Sequence, residues 1–146
     1  MTPIEITTVQ THELRRRVLR DGDAAAEVDW PGDDEPTTLH LGIEHRGRIV
    51  AISTWLRRPE PDGGERRATR LRGMATDPGH TGRGLAGVLL ADGIERCRVR
   101  GDAVIWANAR VTALGFYERA GFEVLGPEFR TAETGLPHRR VRQVLR

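Results

Sequence analysis

Apolar and polar residues alternate from Ile4 to Val9, the pattern of a short strand with one covered face. Thr11 then stands as N-cap to a helix over His12 to Arg20, where Leu14 and Val18 share a side. Leu39 to His45 and Ile49 to Leu56 flank Arg46-Gly47, a two-residue connection that predicts an antiparallel hairpin. Pro59 to Glu65 reads PEPDGGE, a turn region, and Arg70 to Thr76 follows as the third strand of a meander closed by Asp77-Pro78. Beyond Pro78 the stretch Gly79-His80-Thr81-Gly82-Arg83-Gly84 opens a helix to about Arg100, with Ala86, Leu89, Leu90, Gly93 and Cys97 on one face. Ala103 to Ala107 predicts a strand, Thr112 to Ala120 a helix closed by Gly121, and Phe122 to Leu125 and Arg139 to Leu145 two last strands. No internal repeat or linker divides the pattern, so one domain over 1–146 is expected.

Two segments break the periodicity. The first helix turns Arg15, Arg16, Arg17 and Arg20 away from its apolar side, which reads as a solvated face. After it, Asp21 to Thr38 carries Asp21, Asp23, Glu27, Asp29, Asp33, Asp34 and Glu35 with no basic residue, interrupted by Pro31, Gly32 and Pro36. Connections of that length are either functional lids or disordered, and a disordered or plain surface loop is the expectation.

Composition narrows the class. With 38% hydrophobic and 30% charged residues the chain reads as a globular domain able to fold alone. No apolar run reaches the roughly 20 residues that cross a bilayer, and Met1 to Val9 lacks a charged-then-apolar leader, so a cytoplasmic protein with no membrane partner is expected. The single Cys97 excludes a disulfide framework and a thiolate metal site, and no metal is expected. The net charge is only +2 because all 23 basic residues are arginines set among 21 acids, scattered rather than gathered beside aromatic platforms. No nucleic-acid partner is implied.

The sharpest local feature is the glycine-rich turn between a strand and a helix. Main-chain N–H groups at a helix start are unpaired, and glycines let an anion reach them without a side-chain clash. Three phosphate-bearing ligands use such turns. A nucleotide-triphosphate loop needs a lysine, and the chain has none. The dinucleotide fingerprint GxGxxG is matched by Gly82-Arg83-Gly84-Leu85-Ala86-Gly87 with Asp102 twenty residues on, but Asp102 precedes the next strand where the ribose-binding acid should end it, and antiparallel strands come first. Coenzyme A is the third.

Leu71 to Leu90 (LRGMATDPGHTGRGLAGVLL) resembles the signature segment of the GNAT superfamily of acyl-CoA-dependent N-acyltransferases, in which a strand ends in a D-P turn and [RQ]-x-x-G-x-[GA] opens a helix. Here that last part is Thr81-Gly82-Arg83-Gly84-Leu85-Ala86, with Thr81 in place of the usual Arg or Gln. Ala113 to Phe122 (ALGFYERAGF) resembles the family's A-x-x-F-Y-x-x-x-G-F element at every fixed position. The family's asparagine three residues before that alanine is Arg110 here, with Asn108 nearby. The resemblance covers most of the chain.

It implies an α/β (α+β) GNAT fold: a central, mixed but mostly antiparallel sheet of six to seven strands, flanked by about four helices and splayed between the fourth and fifth strands. It implies transfer of an acetyl group from acetyl-CoA to an amine of a small-molecule or peptide acceptor by direct attack. Met74, Ala75 and Thr76 would pair with the pantetheine arm, with Gly73 hosting a bulge that opens the cleft. Gly82, Arg83, Gly84, Leu85, Ala86 and Gly87 would hold the pyrophosphate, with Asn108 a further cofactor contact. Tyr117 would give a proton to the departing thiolate.

The general base is not readable: Glu44, Glu128 and His138 are candidates, beside a water chain or deprotonation of the amine in solution. At the acceptor, Trp30 and the acids from Asp29 to Glu35 are expected to attract a positively charged amine. A regulatory acyl-CoA-binding module and, less favoured, a dinucleotide-binding protein remain alternatives. The last strand, Val141 to Leu145, is the expected pairing edge for a homodimer.

Overall fold

In the computed structural model, which describes residues 1–146, Arg46 and Gly47 both take positive φ, 51° and 79°. That left-handed pair matches strand twist and turns β2 (Leu39–His45) directly back into β3 (Arg48–Arg57). β1 (Ile4–Ile6) lies antiparallel to β2, and β4 (Ala68–Thr76) antiparallel to β3. β5 (Val104–Arg110), β6 (Glu123–Arg130) and β7 (Pro137–Val144) complete one seven-stranded sheet in the order β1-β2-β3-β4-β5-β7-β6. Only β4 and β5 run parallel. Three α-helices flank it, against the four or so implied: α1 (Thr8–Leu14), which continues as a π turn over Arg15–Leu19, α2 (Leu85–Val99) and α3 (Leu114–Arg119).

The β4–β5 ladder is short. Ala68, Thr69 and Arg70 pair with Val104, Ile105 and Trp106, and beyond them the strands separate while β5 stays paired to β7 up to Arg110. On its other side β4 carries a bulge, because Ile52 pairs with Ala75 but Thr54 with Arg72, leaving Gly73 and Met74 opposite Ser53. Gly73 holds φ +65°, and a Cβ there would lie 2.9 Å from Trp30 Cζ3. A side chain would thus be strained by conformation and by space.

The larger core lies under α2 and α3, where Leu41, Trp55, Leu71, Leu89, Ile105 and Val141 meet. Gly93 lets α2 settle on the Trp55 ring, since an added Cβ would fall 1.9 Å from Trp55 Cζ2. On the opposite face Leu14 packs with Ile6, Ile52 and Ala75. No helix is long and apolar enough to cross a membrane.

Four expectations change. β1 stops at Ile6 and α1 starts at Thr8, because Thr7 and Gln10 form a capping box: Gln10 N donates to Thr7 Oγ1 at 3.3 Å and Thr7 N to Gln10 Oε1 at 2.8 Å. Thr11, expected as the cap, is buried inside the helix. Arg15 is wholly buried rather than solvated. It donates to Asp33 at 2.6 and 3.0 Å, to the Val28 carbonyl at 2.9 Å and to Thr54 Oγ1 at 2.9 Å, so 21–38 is fixed against the sheet instead of forming a loose loop. Finally, β7 lies between β5 and β6, so it is not the last strand of the sheet, and Val141 and Arg142 are paired on both sides.

Candidate active site

The separation of β4 from β5 opens a cavity of about 710 Å³. Arg70 to Thr76 form one wall, Asn108, Ala109 and Arg110 the other. α3 contributes Phe116 and Tyr117, the 21–38 segment Asp23, Glu27 and Trp30, and the β6–β7 connection Thr131, Glu133 and Thr134, with His138 at the start of β7. Met74, Ala75 and Thr76, expected against a pantetheine arm, all lie on this wall. Successive main-chain N–H groups of a strand point to opposite neighbours, so alternate groups from Leu71 onward face the cleft with no strand partner there.

Tyr117 stands edge-on to Phe116 and Phe122 at 5.3 and 5.4 Å, and its hydroxyl points at Met74 Sδ, 3.8 Å away. Burial pushes the phenol up to about 12. It therefore keeps its proton throughout the physiological range.

The glycine-rich turn follows β4. Asp77 caps it, accepting from Gly79 N at 2.9 Å, and Arg17 donates to the same carboxylate at 3.2 Å. The Gly79 bond, then Arg17, hold the Asp77 carboxyl below its ordinary value. Gly82 and Gly84 take φ +80° and +76°, and a Cβ at Gly82, Gly84 or Gly87 would meet nothing within 4 Å. Gly82, Arg83, Gly84 and Gly87 are exposed and Ala86 lines the cavity. Leu85 turns its side chain into the core, which leaves only its main chain for a ligand.

The remaining predicted residues divide. Ile105, Ala107 and Ala109 enter the α2–α3 core, so by alternation Asn108 shares the opposite face with Trp106 and Arg110. It lines the cavity there. Of the three base candidates only His138 reaches the cavity; Glu44 and Glu128 are exposed elsewhere. His138 Nδ1 lies 2.8 Å from the Leu136 carbonyl, which can only accept, so Nδ1 carries a proton in that contact and Nε2 is the ring nitrogen left without a protein partner.

Trp30, expected at the acceptor, lines the cavity, while the acids from Asp29 to Glu35 are engaged within the protein. Arg15 stacks on Trp30 at 3.8 Å, with Arg20 and Arg72 at 5.2 and 5.6 Å, so the ring that was to receive a substrate cation already holds the chain's own guanidinium groups. Asp29 pairs with His12, Asp33 with Arg15 and Arg72, and Glu35 with Arg58, while Asp34 accepts from Thr8. None of these four acids lines the cavity.

Sequence reasoning missed Arg70, Arg72, Arg110 and Glu133, all on the cavity wall. A signal existed for two of them: arginines alternate with Leu71 along a strand that the pattern otherwise marks as covered. Asp102, the tempting ribose acid, accepts instead from Thr69 at 2.7 Å, Arg57 and Arg100 at 2.8 Å and Arg67 at 3.1 Å. No group of three or more His, Cys, Asp or Glu side chains is arranged to hold a metal ion.

The model of the Acetyltransferase (GNAT) family matches residues 6–122, well over half of the chain. The chain belongs to that family. It is accordingly an N-acetyltransferase, an enzyme that passes an acyl group to an amine. It is 29% identical over 129 residues to YitI, an uncharacterized N-acetyltransferase of Bacillus subtilis strain 168, covering 86% of this chain and 87% of the relative. The fold is shared with ElaA of Escherichia coli, with a TM-score of 0.81 at 15% identity over 98% of this chain and 99% of that one. It is shared too with an aminoglycoside 6'-N-acetyltransferase complexed with coenzyme A, with a TM-score of 0.76 at 12% identity over 99% and 97%.

Proposed function

We propose that this GNAT enzyme takes an acetyl group from acetyl-CoA and passes it directly to the amine of a small-molecule or peptide acceptor. The observation that carries the reading is the uncovered edge of β4 from Leu71 to Thr76, beside a turn whose glycines leave room for an anion. An extended pantetheine arm suits that edge as an added strand, and a diphosphate suits main-chain N–H groups over Gly82 to Gly87 with Arg83 beside them. The solved relative that carries coenzyme A supports the same reading.

Acetyl-CoA supplies an activated thioester carbonyl. A main-chain N–H along Met74–Thr76 donates to its oxygen, where negative charge builds as the amine attacks. Tyr117, protonated at its hydroxyl, gives the proton that the departing sulfur needs. His138 Nε2 takes the proton that the amine loses.

Titration calorimetry against coenzyme A, with a nicotinamide dinucleotide as control, tests the ligand class, and thiol release over a panel of amines tests turnover. Heat with coenzyme A alone, followed by amine-dependent thiol release, is the expected result. Saturation by the dinucleotide would overturn the proposal, and heat without thiol release would favour a regulatory module.

A further inference from the structure

The Arg70 side chain differs from those of Arg72 and Arg20, which line the same cavity. Arg72 donates to Asp33 at 3.0 Å and to the Pro31 carbonyl at 2.6 Å, and Arg20 to the Leu19 carbonyl at 3.0 Å. The Arg70 side chain makes no hydrogen bond or ion pair, and its Nε, like those of Arg72 and Arg140, is shut off from solvent without a partner. Its guanidinium lies 5.4 Å from the centre of the Trp106 ring, whose surface Arg140 also approaches at 5.9 Å. The charged groups acting on it are Glu133, which forms no ion pair with it, and Arg58, of like sign. Burial pushes Arg70 below its ordinary value, as it does Arg72.

Its position gives that charge a use. Arg70 is the last residue of β4 paired to β5, at the apex where the cleft opens, and it lines the cavity. Two residues beyond its partner Trp106, Asn108 holds Oδ1 buried and without a donor. One cavity wall thus offers donors that lack an acceptor and the other an acceptor that lacks a donor. A guanidinium edge is a planar fork matched to a carboxylate, and an amide oxygen is matched to an N–H.

We infer that the acceptor is an amine that also carries a carboxylate, an amino-acid-type molecule, with Arg70 receiving the carboxylate and Asn108 Oδ1 an acceptor N–H. This rests on the acetyl-transfer reading and narrows it. It also replaces attraction of a cation by an acidic loop with recognition of an anionic group by the sheet.

The test uses glycine, methionine, glutamate and lysine, each beside its carboxamide, as acceptors, and their N-acetyl derivatives as probes of binding. The parent chain is expected to prefer the carboxylate member of at least one pair by about 10- to 100-fold in kcat/KM, the loss associated with one charged hydrogen-bonded contact. Arg70→Met is expected to bring that ratio near one. In parallel, the N-acetyl carboxylate raises the melting temperature of the parent and shifts the Arg70 Nε–H resonance, whereas the N-acetyl carboxamide does neither.

Arg70→Met itself is expected to melt no lower than the parent, since it removes a buried charge that no protein group pairs. Equal use of both members by the parent, an undiminished preference in Arg70→Met, no response to any carboxylate probe, or a variant that unfolds several degrees early would each overturn the inference. Failure to bind coenzyme A in calorimetry would instead count against the acetyl-transfer reading, because the probe measurements need no coenzyme.

Discussion

Arg15 and Asp33 form a two-pronged ion pair, Nη1 to Oδ2 at 2.6 Å and Nη2 to Oδ1 at 3.0 Å, with the arginine wholly buried and the aspartate nearly so. The pair fastens the 21–38 segment to α1, and Thr54 and the Val28 carbonyl complete the guanidinium's partners. The same arginine carries the Trp30 ring, which packs on Gly73 at the β4 bulge. A buried contact therefore holds the part of the cavity lining that the 21–38 segment supplies.

Acid should loosen this arrangement. Burial alone would raise the Asp33 carboxyl, but Arg15, the Trp30 N–H and Arg72 outweigh it and hold the group at about 2. Asp102 is held at about 2 in the same way, burial being outweighed by Thr69, Arg100 and Arg57. With folded values below an unfolded value of about 3.9, each contributes stability that is present above pH 4 and lost as pH falls toward 2, about 2 kcal/mol apiece. Urea unfolding from pH 6 to pH 2.5 is expected to show that loss. Asp33→Asn should cost about 3 kcal/mol near neutrality and flatten the acid limb, and a variant as stable as the parent at pH 7 would refute the account.

Tyr117→Phe keeps the ring stack and removes only the hydroxyl. The expected result is a fall in kcat of about 100-fold with coenzyme A affinity nearly unchanged, the size of a lost general acid. A kcat within two-fold of the parent would show that the sulfur takes its proton elsewhere.

His138→Gln should lower kcat/KM about 100-fold at pH 7. The defect is expected to shrink as pH approaches the acceptor amine's own pKa, because the amine then arrives already neutral. A defect constant with pH would mark His138 as a structural residue of β7.

Gly93→Ala would gain helix propensity of about 1 kcal/mol on α2. Its Cβ nevertheless meets the Trp55 ring at 1.9 Å, so a net loss of about 1–3 kcal/mol is expected in thermal melts. Gly73→Ala should act differently, disturbing the bulge beside Met74 and raising KM for acetyl-CoA more than it lowers the melting temperature.

What the amino-acid order settles alone is local. Arg46-Gly47 dictates its turn, the apolar spacing of α2 dictates the buried face, and the segments ending in Ala86 and Phe122 carry the family resemblance, because each depends on neighbours a few positions apart. The Thr7–Gln10 box was equally local and lay in plain view. Contacts between distant positions were decided by the tertiary structure. Arg15 looks like any solvated helix arginine until Asp33 is brought to it, and the acidic segment looks like a lure for cations until its carboxylates are paired with His12, Arg15, Arg58 and Arg72. Nor does any pattern along the chain reveal that β7 inserts beside β5, or that Arg70 is left facing the cleft without a partner. Periodicity reports which side of an element is covered; only the folded chain determines which charge meets which.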